Sequence, residues 1–248
     1  MKISSSAITI TTVLILMLAK ISVRSEDKLG LELSYHEPDH LEPVNPYPSK
    51  KLGEYYAQVK SLLKLGGFSI AKMEVRPSFS AEYGVRLDSL KRKNNPATAE
   101  IVSPEIETTE KFLLTYSVAD KSIWGAMPWN NINLKEQQEV FVTTTSVEIP
   151  KPLAKQIYRV WKQMLLRTRY SVDDGGGEDG TSYEFGMRYS VYGETNAPYI
   201  DKHKNPMLFV DLGESLIDYC KASLTERPAV AKTIKIKADI LQKYLDKK

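Results

Sequence analysis

His36-Glu37-Pro38-Asp39-His40 satisfies the letter of the zinc-protease pattern H-E-x-x-H. That chemistry needs both imidazoles on one helical face, with the Glu beside the metal-bound water. Pro38 interrupts the motif and disfavours helical geometry at Glu37. The chain holds one further histidine, His203. The match is read as incidental, and neither a metal nor any other cofactor is assigned.

Asp173, Asp174, Glu178 and Asp179 gather four carboxylates in a glycine-rich stretch. An EF-hand loop wants oxygen ligands at its first, third, fifth and twelfth positions and Gly at the sixth. Counting from Asp173, the third and fifth positions are Gly175 and Gly177. Counting from Asp174, the third is Gly176 and the sixth Asp179. Neither register fits, so a solvated Asp-Gly turn is expected, with a looser calcium loop as the alternative.

Cys220, the single cysteine, falls on the apolar side of a predicted helix and reads as a buried thiol rather than a nucleophile paired with His203. No G-x-S-x-G or Walker pattern is present. The catalytic residues are therefore unassigned. Glu148, Glu184 and Glu194 are the carboxyls to watch. Two of them converging in a cleft would indicate a hydrolase, whereas scattered, solvated ones would favour binding.

Two groups of residues suit recognition. Trp124 and Trp129 flank a Pro-containing loop that runs into Asn130, Asn131 and Asn133. Indole faces beside amides fit a sugar ring or an apolar patch on a partner, although Trp also plugs the ends of sheets. Arg167 and Arg169 end the long predicted helix that Pro150 and Pro152 open, and Arg188 lies on the polar parity of the next strand. Three guanidiniums at one corner would grip a carboxylate or phosphate, or simply answer the helix dipole and the acidic loop.

The elements that must position these residues follow from periodicity. Leu52, Tyr55, Tyr56, Val59, Leu62 and Leu63 recur at helical spacing, and Gly66-Gly67 is the expected C-cap of a helix over 50–65. From Met73 to Leu87 the period becomes two, with Phe79 on the apolar parity, and Pro77-Ser78 divides the run into a hairpin or a bent strand pair. Further strands are predicted at 99–102, 112–118 and 140–149, with a helix starting at Ser103-Pro104-Glu105 as the alternative to the second. Pro150 and Pro152 open a helix to about 168, whose face is Leu153, Ile157, Val160, Trp161, Met164 and Leu165. Tyr183 to Val191 alternates as one half-buried strand. Pro206 and Pro228 start two final helices. Clustered strands with tight connections predict an α+β fold, an antiparallel sheet with helices packed on one face.

Composition sets the outer limits. The chain has 248 residues, 42% hydrophobic and 26% charged, which is ordinary for a globular protein. Met1-Lys2, an apolar run from Ala7 to Ala19 and the Val23-Arg24-Ser25 site form a secretory signal, with cleavage expected after Ser25. The run is too short to span a bilayer, and a retained anchor is the alternative. Without the leader, basic and acidic residues balance at 31 each, so nucleic acid is not an expected partner. Residues 26–49, with Pro38, Pro43, Pro46 and Pro48, read as an extended arm, and 50–248 as a single domain without a membrane span. These features predict an exported, bacterial periplasmic or secreted, non-enzymatic protein that binds an envelope protein or a glycan. An exported hydrolase acting on cell-wall or polysaccharide material is the rival.

Overall fold

The computed structural model of the chain describes residues 40–67, 69–90, 111–129, 138–170, 180–188, 191–197 and 205–247. The leader, the first part of the arm, His36, the strand at 99–102, Asn130 and Asn131, the acidic loop at 173–179 and His203 lie outside them.

Helix α1 (Lys50–Leu62) is capped by Ser49, whose hydroxyl accepts the Leu52 N–H at 3.4 Å. Its end is a Schellman turn: Leu65 N–H donates to Lys60 O and Lys64 N–H to Ser61 O. The left-handed residue is Lys64, at φ 55°, not the glycine pair that the sequence suggests. The Arg86 guanidinium donates to the Lys64 carbonyl at 2.6 Å and buttresses the turn.

Strands β1 (Ala71–Pro77) and β2 (Tyr83–Leu90) form a hairpin with Val75 opposite Tyr83. Phe79 falls in its turn and is exposed. β3 (Lys111–Ala119), the short helix α2 (Ile123–Ala126) and β4 (Val142–Ile149) follow. After helix α3 (Lys151–Leu165) come β5 (Thr181–Met187), β6 (Val191–Ala197) and helices α4 (Asn205–Lys221) and α5 (Arg227–Asp246). The sheet is antiparallel throughout, in the order β4-β3-β2-β1-β5-β6.

The alternation from Tyr183 to Val191 is thus two strands rather than one. Met187 and Val191 are cross-strand partners. They are an even number of residues apart, so the parity runs unbroken through the turn and hides it.

The α+β class stands as read from the sequence. The face carrying Met73, Val75, Val85, Leu87, Leu114 and Phe185 is covered by α3 and α4, and α5 stacks outside these two helices. Trp161, midway along α3, is fully buried. It lies 4.3 Å from Phe209 and 5.7 Å from Phe185, and its indole N–H donates to the Gly186 carbonyl. Helix α1 lies against the opposite face, where Tyr55, Val59, Leu63 and Leu65 join Ile123 and Met127 in a second apolar cluster.

The described end of the arm is packed. Leu41 is fully buried, and Glu42 forms an antiparallel bridge with Glu194 on the outer edge of β6. A Cβ on Gly193 would stand 2.8 Å from the Leu41 side chain, so the glycine makes the seat for Leu41.

Candidate functional site

The even-numbered residues of β1 point toward α1, and three of them are charged: Lys72, Glu74 and Arg76. Cross-strand register sets Glu74 beside Glu184 on β5, and Glu184 beside Glu194 on β6. Three carboxyls therefore stand in one row across adjacent strands, beneath a helix. Carboxylates so placed repel and lose hydration, so the row is tolerable only with cations among them.

Those cations come from two elements. Arg76 Nη1 lies 3.3 Å from Glu74 Oε1 and 3.4 Å from Glu184 Oε2, and Nη2 lies 3.7 Å from Glu194 Oε2. Nη2 also donates to the Ser182 hydroxyl at 3.2 Å. From α1, Lys60 Nζ reaches Glu184 Oε1 at 2.9 Å, and the Tyr56 ring lies over the Arg76 guanidinium with its centroid 4.2 Å away. Lys72 Nζ donates to the Leu65 carbonyl and stands 4.8 Å from the centre of the Tyr192 ring. The side chains of Arg76 and Glu184 are only 4% and 2% exposed.

Burial, and then the neighbouring Glu184, push the Glu74 carboxyl up to about 7. Its Oε1 faces Arg76 without hydrogen-bond geometry. Burial also raises Glu194, against the pull of Arg76 and of an N–H from the arm at Asn45. For Lys60, burial opposes the charge but Glu184 outweighs it, and the ammonium is held above its usual range. Chemically, the row can hold a proton near neutrality and bind α1 to the sheet. It is closed over by Tyr56 and Lys60, not open as a cleft.

A second buried carboxylate has a different task. Glu82 accepts the Tyr55 hydroxyl at 2.8 Å, the Ile123 N–H at 2.6 Å and the Trp124 N–H at 3.0 Å. It satisfies the first turn of α2 and thereby fixes the Trp corner. There the Trp124 ring is 5.0 Å from Tyr55 and 6.4 Å from Trp129, in edge contacts. Trp124 is 36% exposed, while Trp129 is half-buried against the second apolar cluster. The Trp129 Nε1–H is buried and has no acceptor among the described residues. A cavity of about 370 Å³ opens beside this corner, lined by Gln58, Leu62, Ile123, Met127, Gln138 and Val140, among others.

The remaining sequence candidates are dispersed. Arg167 donates to the Leu245 carbonyl at the end of α5, and Arg188 donates to the Ser89 hydroxyl at 2.7 Å. The Arg169 N–H donates to the Leu41 carbonyl and so fastens the arm. Each guanidinium-bearing residue is thus engaged by a different element. Glu148 is exposed and paired with Lys111 at 3.0 Å, away from Glu184 and Glu194. Cys220 is buried, its thiol pushed up to about 12 by burial, which suits packing rather than nucleophilic attack. His40 is buried, with its ring nitrogen against the Leu41 carbonyl, and no metal-ligating cluster occurs among the described residues.

Sequence reasoning missed Lys60, Glu74, Arg76 and Glu82. A signal was present: three charges at alternate positions of a strand between Pro and Gly breaks. It pointed outward to solvent only on the assumption that one face of the sheet is bare.

Comparison with family models, curated proteins and solved structures finds no match to the chain. Among the described residues no helix is long and apolar enough to cross a membrane.

Proposed function

We propose that the chain is an exported, non-enzymatic protein that binds an envelope protein or a surface glycan through its Trp124–Trp129 corner. The observation that carries this reading is that corner itself. Glu82 holds the Trp124 backbone, Tyr55 meets the partly exposed indole edge-on, and the neighbouring Ile123 and Met127 line a cavity together with Gln58 and Gln138. Rigid aromatic faces bind at low entropic cost, and amides at their rim supply orientation. The export half of the reading rests on the leader alone, and N-terminal sequencing of the exported protein should return Glu26.

The compensated state of the carboxyl row also favours binding over hydrolysis. Glu184 and Glu194 do converge, which is the feature a hydrolase would share, but they converge on Arg76 and Lys60 under a helix. A glycosidase needs its acid and its second carboxylate flanking an accessible bond.

Binding of the purified protein to insoluble cell-wall polymer tests the proposal. Trp124→Ala should lower retention about tenfold, in keeping with the loss of one stacked aromatic. Glu184→Gln should leave retention unchanged. Release of soluble sugar that Glu184→Gln and Glu194→Gln abolish would establish the hydrolase reading instead.

A further inference from the structure

Helix α5 is the outermost layer of the fold and is apolar on two sides. Ile234, Ala238, Leu241 and Leu245 face α3 and α4. Ile236, Ile240 and Tyr244, four residues apart, form a second stripe on the outside and are 49%, 39% and 41% exposed. At 100° per residue, Lys232, Lys243 and Lys247 fall on this same outer face, interleaved with the isoleucines. Lys247 Nζ sits 5.4 Å from the centre of the Tyr244 ring.

The helix carries more cations than anions, Arg227, Lys232, Lys235, Lys237 and Lys243 against Asp239 and Asp246. The two acids of the helix that border it are engaged by amides: Asp239 by Gln156 at 2.6 Å and Asp246 by Gln242 at 2.7 Å. Lys232, Lys235 and Lys243 have no acid within ion-pair distance among the described residues. Leu166 and Tyr170, both exposed, follow α3 at the end where Arg167 meets the Leu245 carbonyl.

We propose that the outer face of α5 is a docking surface for an anionic lipid bilayer. The helix would lie in the headgroup plane with Ile236, Ile240 and Tyr244 inserted and the lysines on acidic lipid phosphates. Shape decides for a bilayer over an acidic protein. The stripe is a convex ridge on the outermost helix, and a fluid interface accommodates a ridge without a matching groove. Apolar insertion and cationic attraction are both needed, because either alone gives weak, reversible binding. The surface is separate from the Trp corner and does not depend on it.

Vesicle co-sedimentation tests the proposal with the chain from Glu26, which keeps every described residue of the core. Phosphatidylcholine vesicles with about 30% phosphatidylglycerol should retain the protein, and phosphatidylcholine alone should not. The double variant Ile236→Ser/Ile240→Ser and the triple variant Lys232→Gln/Lys243→Gln/Lys247→Gln should each lower the bound fraction about fivefold. Their Tm values should match the parent's, because all five side chains point outward. A parent that ignores anionic vesicles, a variant set in which only one member loses binding, or a fall in Tm that marks the face as packed would overturn it.

Discussion

Lys60 on α1 and Glu184 on β5 stand 2.9 Å apart, and this contact joins the first helix to the central strands through charge rather than through apolar packing. The same carboxyl also meets Arg76, so one buried anion is shared between a helix and a strand. Removing Arg76 would leave Glu74, Glu184 and Glu194 facing one another with Lys60 as their nearest cation. Arg76→Ala should therefore cost about 3–5 kcal/mol in urea unfolding at neutral pH. Lys60→Ala should cost less, because the lysine is one-third exposed and water replaces it. A loss below about 1 kcal/mol for Arg76→Ala would mean that the row is hydrated rather than closed.

The pH dependence has a defined sign. Glu74 titrates near 7 in the fold against an ordinary value of 4.5. The folded state therefore holds its proton more tightly than the unfolded chain does. Stability contributed by that proton is fully present below about pH 4.5 and falls as pH rises toward 7. Glu194, also raised by burial, acts in the same direction. The urea midpoint should be higher at pH 5 than at pH 8, and Glu74→Gln should flatten that slope by stabilising the protein at pH 8. A variant that keeps the parent's slope would remove Glu74 from the account.

What the sequence made legible, and what it did not, divides along the two faces of the sheet. Leu153 to Leu165 and Met73 to Leu87 announce their elements because burial against α3 and α4 leaves a clean apolar period. The other face is written in polar residues. Lys72, Glu74 and Arg76 look like a solvated edge, since nothing local in a sequence says that Tyr56 and Lys60 will cover them. The arm misleads in the same way. Leu41 is one apolar residue among prolines, and its seat exists only because Gly193, far along the chain, lacks a side chain. The Trp corner was legible as a pair of indoles. Glu82, which holds its backbone, was not.

Leu41 tests whether the arm belongs to the domain. Its side chain is fully buried in the main cluster, and truncation to Ala should cost about 2–5 kcal/mol. Gly193→Ala should be damaging in the parent, where the new methyl meets Leu41 and the Thr168 hydroxyl. In a Leu41→Ala background it should cost measurably less, and a double-mutant cycle reads the difference. Strict additivity would show that the two residues do not share a seat.

Trp161 and Trp129 separate packing from recognition. Trp161 is fully buried against the stacked Phe185 and Phe209, and its N–H is satisfied by the Gly186 carbonyl across the sheet interface. Truncation there removes the largest buried side chain and strands a strand carbonyl, so Trp161→Ala should cost about 3–5 kcal/mol. For a domain of this size that is a fall in Tm of about 10 °C or more. Trp129 touches the smaller cluster from its margin, and its N–H has no acceptor among the described residues to lose. Trp129→Ala should therefore lower Tm far less while weakening polymer retention alongside Trp124→Ala. Paired thermal melts decide the matter. Equal, severe losses would make the Trp corner a structural plug and remove the support for a binding site there, whereas an innocuous Trp161→Ala would contradict the packing of α3 on the sheet.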